Sequence, residues 1–154
     1  MKKVALFLII LFTCYGCGDE VQFNTPALQG NKNYQLWRAT YFDAVLAEHG
    51  QLTINAGTKT EKLEIVLVSL KEGAYSLSKM SDSKIDFLDE ENISYSTANL
   101  QNPEDNFEQE IGQVVITEFD GNTITGTFRF IAFSADGQDS VGFNDGIFYK
   151  VPVR

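Results

Sequence analysis

The sequence predicts an all-β fold: a single-domain antiparallel β-sandwich or flattened barrel of about nine strands. Three observations carry this. Apolar and polar residues alternate with period two along most of the chain beyond residue 34, which is the spacing of a strand with one buried face. The apolar runs are short, rich in Val, Ile, Phe, Tyr and Thr, and separated by Gly, Asn and Asp, the residues that close turns. No window of 11 or more residues carries a 3.6-residue period. Strands without helices between them must pair antiparallel, because a parallel pair needs a long crossover.

The first strand is Gln35 to Phe42, with Trp37, Ala39 and Tyr41 on one face and Leu36, Arg38 and Thr40 on the other. The residues after it, Asp43 to His49, can supply two helical turns. Gln51 to Ala56 places Leu52 and Ile54 inward, and Gly57 to Thr60 is a turn. Glu61 to Leu70 starts as an alternating strand and becomes apolar on both faces, as a central strand does. A turn at Lys71 to Gly73 leads into Ala74 to Ser78. Ile85 to Leu88 and Ile93 to Thr97 flank the acidic turn Asp89 to Asn92, and Asn99 to Glu110 is a polar loop around Pro103. Gln113 to Phe119, the turn Asp120 to Thr123, and Ile124 to Phe133 form the clearest hairpin. After a polar turn at Ser134 to Ser140, Val141 to Val153 closes the chain, with Gly146 marking a bulge and Pro152 ending the pairing.

Ahead of the domain, Met1-Lys2-Lys3 is a basic start and Val4 to Phe12 is nine apolar residues in a row. A helix needs about 20 residues to span a bilayer, so this run reads as a signal-peptide core. Both cysteines, Cys14 and Cys17, stand directly behind it and the rest of the chain has none. That placement points to lipoprotein processing, in which a thiol takes up a diacylglyceryl group and the chain is cut just before it. Gly16 supplies the small residue before Cys17, although Cys14 occupies the position three residues upstream where Leu is usual. Cys14 is the alternative, with Leu11 upstream of it but the less suitable Thr13 before the cut. The expected organisation is a signal at 1–16, an acylated tether at 17–33 that becomes ordered as it joins the domain, and the β domain at 34–154. Three acyl chains, at about 0.8 kcal/mol per buried CH₂, would hold the protein stably, whereas one is marginal.

Removing the signal leaves 138 of the 154 residues, enough for one core. It also removes Lys2 and Lys3, which takes the formal charge from −9 to −11. That acidity disfavours nucleic acid, whose phosphates are bound by clustered Lys and Arg. His49 is the only histidine, so a Ser-His-Asp or Cys-His system would depend on it; it reads as an exposed loop residue. With no cysteine beyond Cys17 and one histidine, a Cys- or His-based metal site is not expected. The Asp-rich turns at 89–92 and 136–139 fail the calcium-loop spacing. The 21 acidic residues leave a carboxylate-pair hydrolase as a remote alternative, with no pair singled out. Apart from the covalent lipid on Cys17, no cofactor is expected, and the domain reads as non-enzymatic.

Aromatic residues are the remaining candidates for recognition. Trp37 and Tyr41, with Tyr75, Tyr95 and Tyr149 behind them, could stack on sugar faces if they share an exposed side of the sheet. Phe128 and Phe130 alternate with Thr127 and Arg129, as on a face packed against a core; Arg129 reads as a solvent-side partner for nearby acids. Asp139-Ser140-Val141 resembles the O-glycosylation sequon of exported Bacteroidota proteins, which makes Ser140 a candidate acceptor in an accessible loop.

Three stretches carry a wider resemblance. Phe23 to Gly30 followed by Leu36-Trp37-Arg38-Ala39, then Gly112, Val114, Ile116 and Thr117, then Ile124 to Phe130 with Gly146 and Phe148, resemble small flavobacterial-type Bacteroidota lipoproteins carrying a domain of unknown function. The acidic Gly18-Asp19-Glu20 after Cys17 resembles their surface-export signal. The resemblance implies an outer-membrane, lipid-anchored β domain facing the periplasm or the cell surface, and it carries no site residues. The function expected is binding or scaffolding of a glycan, a small ligand or an envelope protein.

Overall fold

The structure, a computed structural model, describes residues 25–99 and 110–154. Among them are eleven strands and no helix. They are β1 (Ala27–Lys32), β2 (Gln35–Arg38), β3 (Tyr41–Leu46), β4 (Leu52–Gly57), β5 (Lys62–Leu67) and β6 (Gly73–Leu77). Then follow β7 (Lys84–Leu88), β8 (Ser94–Ser96), β9 (Gly112–Phe119), β10 (Thr123–Ser134) and β11 (Ser140–Pro152). All belong to one sheet in the order β2-β1-β11-β10-β8-β7-β5-β4-β3, with every strand pairing antiparallel. The sheet curls into a half-barrel, so the single curled sheet is realised and not two stacked ones. It forks at β10, whose first part pairs with β9 and whose last residues, Phe133 and Ser134, pair with β8; β6 adds to the outer edge of β9.

Alternation along β10 explains the curl's inside and outside. Ile124, Gly126, Phe128, Phe130 and Ala132 are buried, while Thr127, Arg129 and Ile131 are exposed, the period of a half-buried strand. Arg129 pairs with Glu110 at 3.1 Å, the expected solvent-side contact. On β11, three residues from Asn144 to Gly146 are accommodated against two on both neighbours, with Asp145 at φ 51°. This is the bulge expected at Gly146. A Cβ there would lie 2.5 Å from the Phe128 carbonyl oxygen, so the close approach of β10 and β11 needs the missing side chain.

The core fills the concave side. Phe143 is fully buried at its centre, stacked on Phe130 at 5.0 Å and edge-on to Trp37 at 5.5 Å and Phe87 at 5.4 Å. These separations and angles are those aromatic quadrupoles favour.

Three expectations need correction. The segment expected as a tether up to residue 33 is already strand from Ala27, held between β11 and β2. Its two-residue turn to β2, Asn33 and Tyr34, has both residues at positive φ, 46° and 68°, the twist that fits a tight hairpin. The expected strand 35–42 is two strands. Ala39 donates its N–H to Leu28 O at 2.9 Å, but Thr40 donates to Gly57 O at 2.7 Å, so the chain steps from one end of the sheet path to the other. Finally, the helical turns expected over 43–49 are absent: β3 runs on to Leu46 because it pairs in register with β4, from Tyr41 against Gly57 to Leu46 against Leu52. Midway along, β3 also meets the residue just past β11 in one parallel bridge, Ala44 to Val153.

The β9–β10 turn offers a test of its chemistry. Asp120 accepts N–H bonds from Asn122 at 2.9 Å and Thr123 at 2.6 Å, and the Thr123 hydroxyl at 2.8 Å. These donors favour the charged form and hold the carboxyl below its ordinary value of 3.8. A lowered folded value means the stabilisation is complete above that ordinary value and is lost as the pH falls through the lower one. Asp120→Asn should therefore unfold at lower urea than the native chain at neutral pH, with the gap closing in acid. A gap that does not change with pH, followed by circular dichroism, would show that the carboxylate's charge is not what the turn loses.

Candidate functional site

The step between β2 and β3 leaves a seam where the two ends of the sheet path lie side by side, and the most elaborate polar arrangement sits there. Glu61, at the end of the β4–β5 turn, is buried. One carboxylate oxygen accepts the Trp37 indole N–H at 2.7 Å and the other is paired with the Lys32 ammonium. Lys32 also lies over the Phe87 ring, 5.5 Å from its centre, a further favourable site for a cation. Lys32 and Trp37 belong to the β1–β2 hairpin and Glu61 to the opposite end of the sheet path, so this cluster pins the seam from the inside. Its polar groups are mutually satisfied, as buried polar groups must be.

Directly outside the cluster is a cleft of about 400 Å³, lined by Tyr41, Thr60, Glu61, Lys62, Glu90 and Asn92, with Thr58, Lys59 and Leu88 completing its walls. It opens between the β4–β5 and β7–β8 turns. Both turns are internally braced. The Thr58 hydroxyl oxygen accepts the Glu61 N–H at 3.1 Å, and Thr58 N–H donates to Glu61 O at 3.0 Å. Asp89 accepts the N–H groups of Glu91 at 2.9 Å and Ile93 at 2.8 Å, and the Tyr95 hydroxyl at 3.2 Å. Burial, seconded by the Asp89 charge, raises the Tyr95 phenol above its ordinary value of 10.0. Tyr41 is 47% exposed and is seated against Gly57, where any Cβ would fall 2.3 Å from the Tyr41 hydroxyl. A second concavity of about 340 Å³ lies beside the β11 bulge, against Gln113, Thr127, Arg129 and Ile147.

The sequence-predicted residues separate clearly. Trp37 is 5% exposed with its indole enclosed by Phe87 and Phe143, so it is a core residue and not a stacking platform; Tyr41 is the exposed one. Tyr95 is buried and the Tyr75 hydroxyl donates to Lys71 O at 2.7 Å. The Tyr149 ring carries the Lys150 ammonium at 5.5 Å. His49 is exposed in the β3–β4 turn, and Ser140 is exposed at the start of β11. Cys14 and Cys17 lie outside the described residues. Among the described residues, no three His, Cys, Asp or Glu side chains converge as metal ligands, and no helix is long and apolar enough to cross a membrane. Sequence reasoning missed Glu61, Lys32 and the cleft lysines. The signal available was the buried Trp37 itself, whose N–H requires an acceptor.

A family described as a domain of unknown function, DUF6252, matches residues 24–152. The chain belongs to that family. The DUF6252 region contains all eleven strands and the whole cleft, and it begins before β1, in agreement with the strand found where a tether was expected. No curated protein and no solved structure matches this DUF6252 chain.

Proposed function

We propose that this chain is a Bacteroidota-type outer-membrane lipoprotein, acylated on Cys17, whose β domain binds a partner and does no chemistry. The observation that carries the anchor is the cysteine placement: both stand directly behind the apolar run 4–12, a small residue precedes Cys17, and Gly-Asp-Glu follows it. Binding is supported by the cleft. Its one buried carboxylate, Glu61, has each oxygen committed, to Trp37 and Lys32, which leaves it poorly placed to carry a proton for a substrate. The partner on this reading is a small ligand, a glycan or an envelope protein, with Tyr41 as the exposed aromatic that favours the first two. The exposure of Ser140 is compatible with O-glycosylation, which intact-mass measurement of native protein would reject by finding lipid alone.

The anchor is tested by labelling cells with an alkynyl fatty acid. Cys17→Ala should lose the label and accumulate as the uncleaved precursor, whereas globomycin, which blocks the cut and not the acylation, should leave the native chain uncleaved but still labelled. Cys14→Ala should be processed normally. Retention of label by Cys17→Ala, or its loss from Cys14→Ala alone, overturns the assignment.

A further inference from the structure

We propose that the cleft between the β4–β5 and β7–β8 turns is a binding site for a neutral pyranose sugar. This rests on the binding role proposed above and names its site and ligand class. The aromatic ring is the first observation. Tyr41 on β3 stands across from Gly57 on β4. A Cβ on Gly57 would fall 2.3 Å from the Tyr41 hydroxyl and 2.6 Å from the ring carbon that bears it. The phenol is therefore seated on bare backbone, while 47% of the residue stays exposed at a cleft of about 400 Å³. A flat ring held in this way receives the apolar C–H face of a pyranose, and the volume lies within the ~300–1,000 Å³ of small-ligand sites.

Charge decides which sugar. One wall brings Lys59 and Lys62; the other is the β7–β8 turn, with Asp89, Glu90 and Glu91. A ligand carrying a full charge of either sign meets like charge on one of the two walls. An uncharged polyol does not. Its hydroxyls can accept from the lysine ammonium groups and the Asn92 amide and donate to Glu90 and Thr60, all of which line the cleft. Glu61 at the inner wall adds no free charge, since Trp37 and Lys32 hold its two oxygens. The braced turns fix the walls before the ligand arrives, so little ordering opposes binding. The cleft is also well placed to meet a ligand. The chain enters β1 at Ala27, whereas Lys32, which reaches the cleft wall through Glu61, ends that strand about 17 Å further on at ~3.3 Å per residue. An anchor ahead of Ala27 thus holds the domain by the end remote from the cleft.

The test is calorimetry and saturation-transfer NMR on the full chain, in micelles of a detergent without a sugar headgroup. Galactobiose, cellobiose and mannobiose are the neutral probes; digalacturonate and the glucosamine disaccharide are the anionic and cationic ones. At least one neutral probe should bind at millimolar concentration or below, more tightly than both charged probes by about threefold or more. Tyr41→Ala should weaken it about tenfold, with Tyr41→Phe close to the native chain. Asn92→Gly removes the amide at a residue whose φ of 64° glycine adopts freely. It should weaken the same probe about threefold, and it reads the site even if Tyr41→Ala fails to fold. No binding of any neutral probe, tighter binding of a charged one, or native affinity in a folded Tyr41→Ala or Asn92→Gly variant would overturn the proposal. The mass of the same preparation reports the lipid on Cys17, so failure of the anchor and failure of the cleft are read separately.

Discussion

Phe143→Ala is expected to destabilise the domain by about 4 kcal/mol, within the 3–5 kcal/mol found for truncating large buried aromatics. Phe143 is fully buried on β11 and its ring meets four others: Phe130 at 5.0 Å, Phe87 at 5.4 Å, Trp37 at 5.5 Å and Phe128 at 6.1 Å. Those partners come from β10, β7 and β2, so the ring joins the middle of the sheet to one of its ends. Removing it takes away the transfer free energy of the ring and leaves a cavity that rigid strands on three sides cannot close. A domain of this size is stable by only about 5–15 kcal/mol, so the loss is a large share of the total. The melting temperature should fall by about 15 °C. Phe143→Leu, which fills most of the space, should cost about 1–2 kcal/mol. Urea unfolding followed by Trp37 fluorescence measures both. A cost below about 1 kcal/mol for the alanine variant would show that the aromatic cluster is not the centre of the core.

What the sequence could reveal of this fold was set by how local each cause is. The β9–β10 hairpin and the inward faces of β10 and β11 were legible because a strand's own alternation decides which side chains meet the core. The bulge at Gly146 was legible for a similar reason, since a glycine inside a strand marks a close approach. β1 was not. Its residues, ALQGNK, have the composition of a linker, and they are strand only because β11 and β2 offer ladder partners on either side. The seam was hidden more completely. Alternation runs unbroken through Leu36-Trp37-Arg38-Ala39-Thr40-Tyr41, so nothing local shows that the chain changes partners at Thr40. The same break explains the site. Unbroken alternation placed Trp37 and Tyr41 on one face; the seam turns the first into the core and leaves the second beside the cleft. Glu61 stood in an ordinary strand start, and its burial depends on Lys32 and Trp37, which are 29 and 24 residues away.

Glu61→Ala is expected to cost about 3 kcal/mol, because it strands two groups at once. The Trp37 N–H is buried with Glu61 as its acceptor at 2.7 Å, and an unsatisfied buried donor costs about 1–3 kcal/mol. Lys32 would lose its ion-pair partner while its side chain remains only 26% exposed. Glu61→Gln separates the two contributions. The amide oxygen can still accept from Trp37, so the remaining loss, about 1–2 kcal/mol, belongs to the charge. Lys32→Met removes the charge from the other side. Combined with Glu61→Gln it should cost less than the two single changes together by at least about 1 kcal/mol, since the second change no longer uncovers a buried charge. Because the pair is largely shielded from solvent, these differences in urea midpoint should persist in high salt, where an exposed pair would be screened. Hydrogen exchange locates the effect: Glu61→Ala should speed exchange first at Thr40 and Ala39, whose N–H groups bond across to Gly57 and Leu28 on the two sides of the seam. If exchange instead rises evenly through β10 and β11, the cluster contributes to the core at large, and the seam is held by the chain step at Thr40 without it.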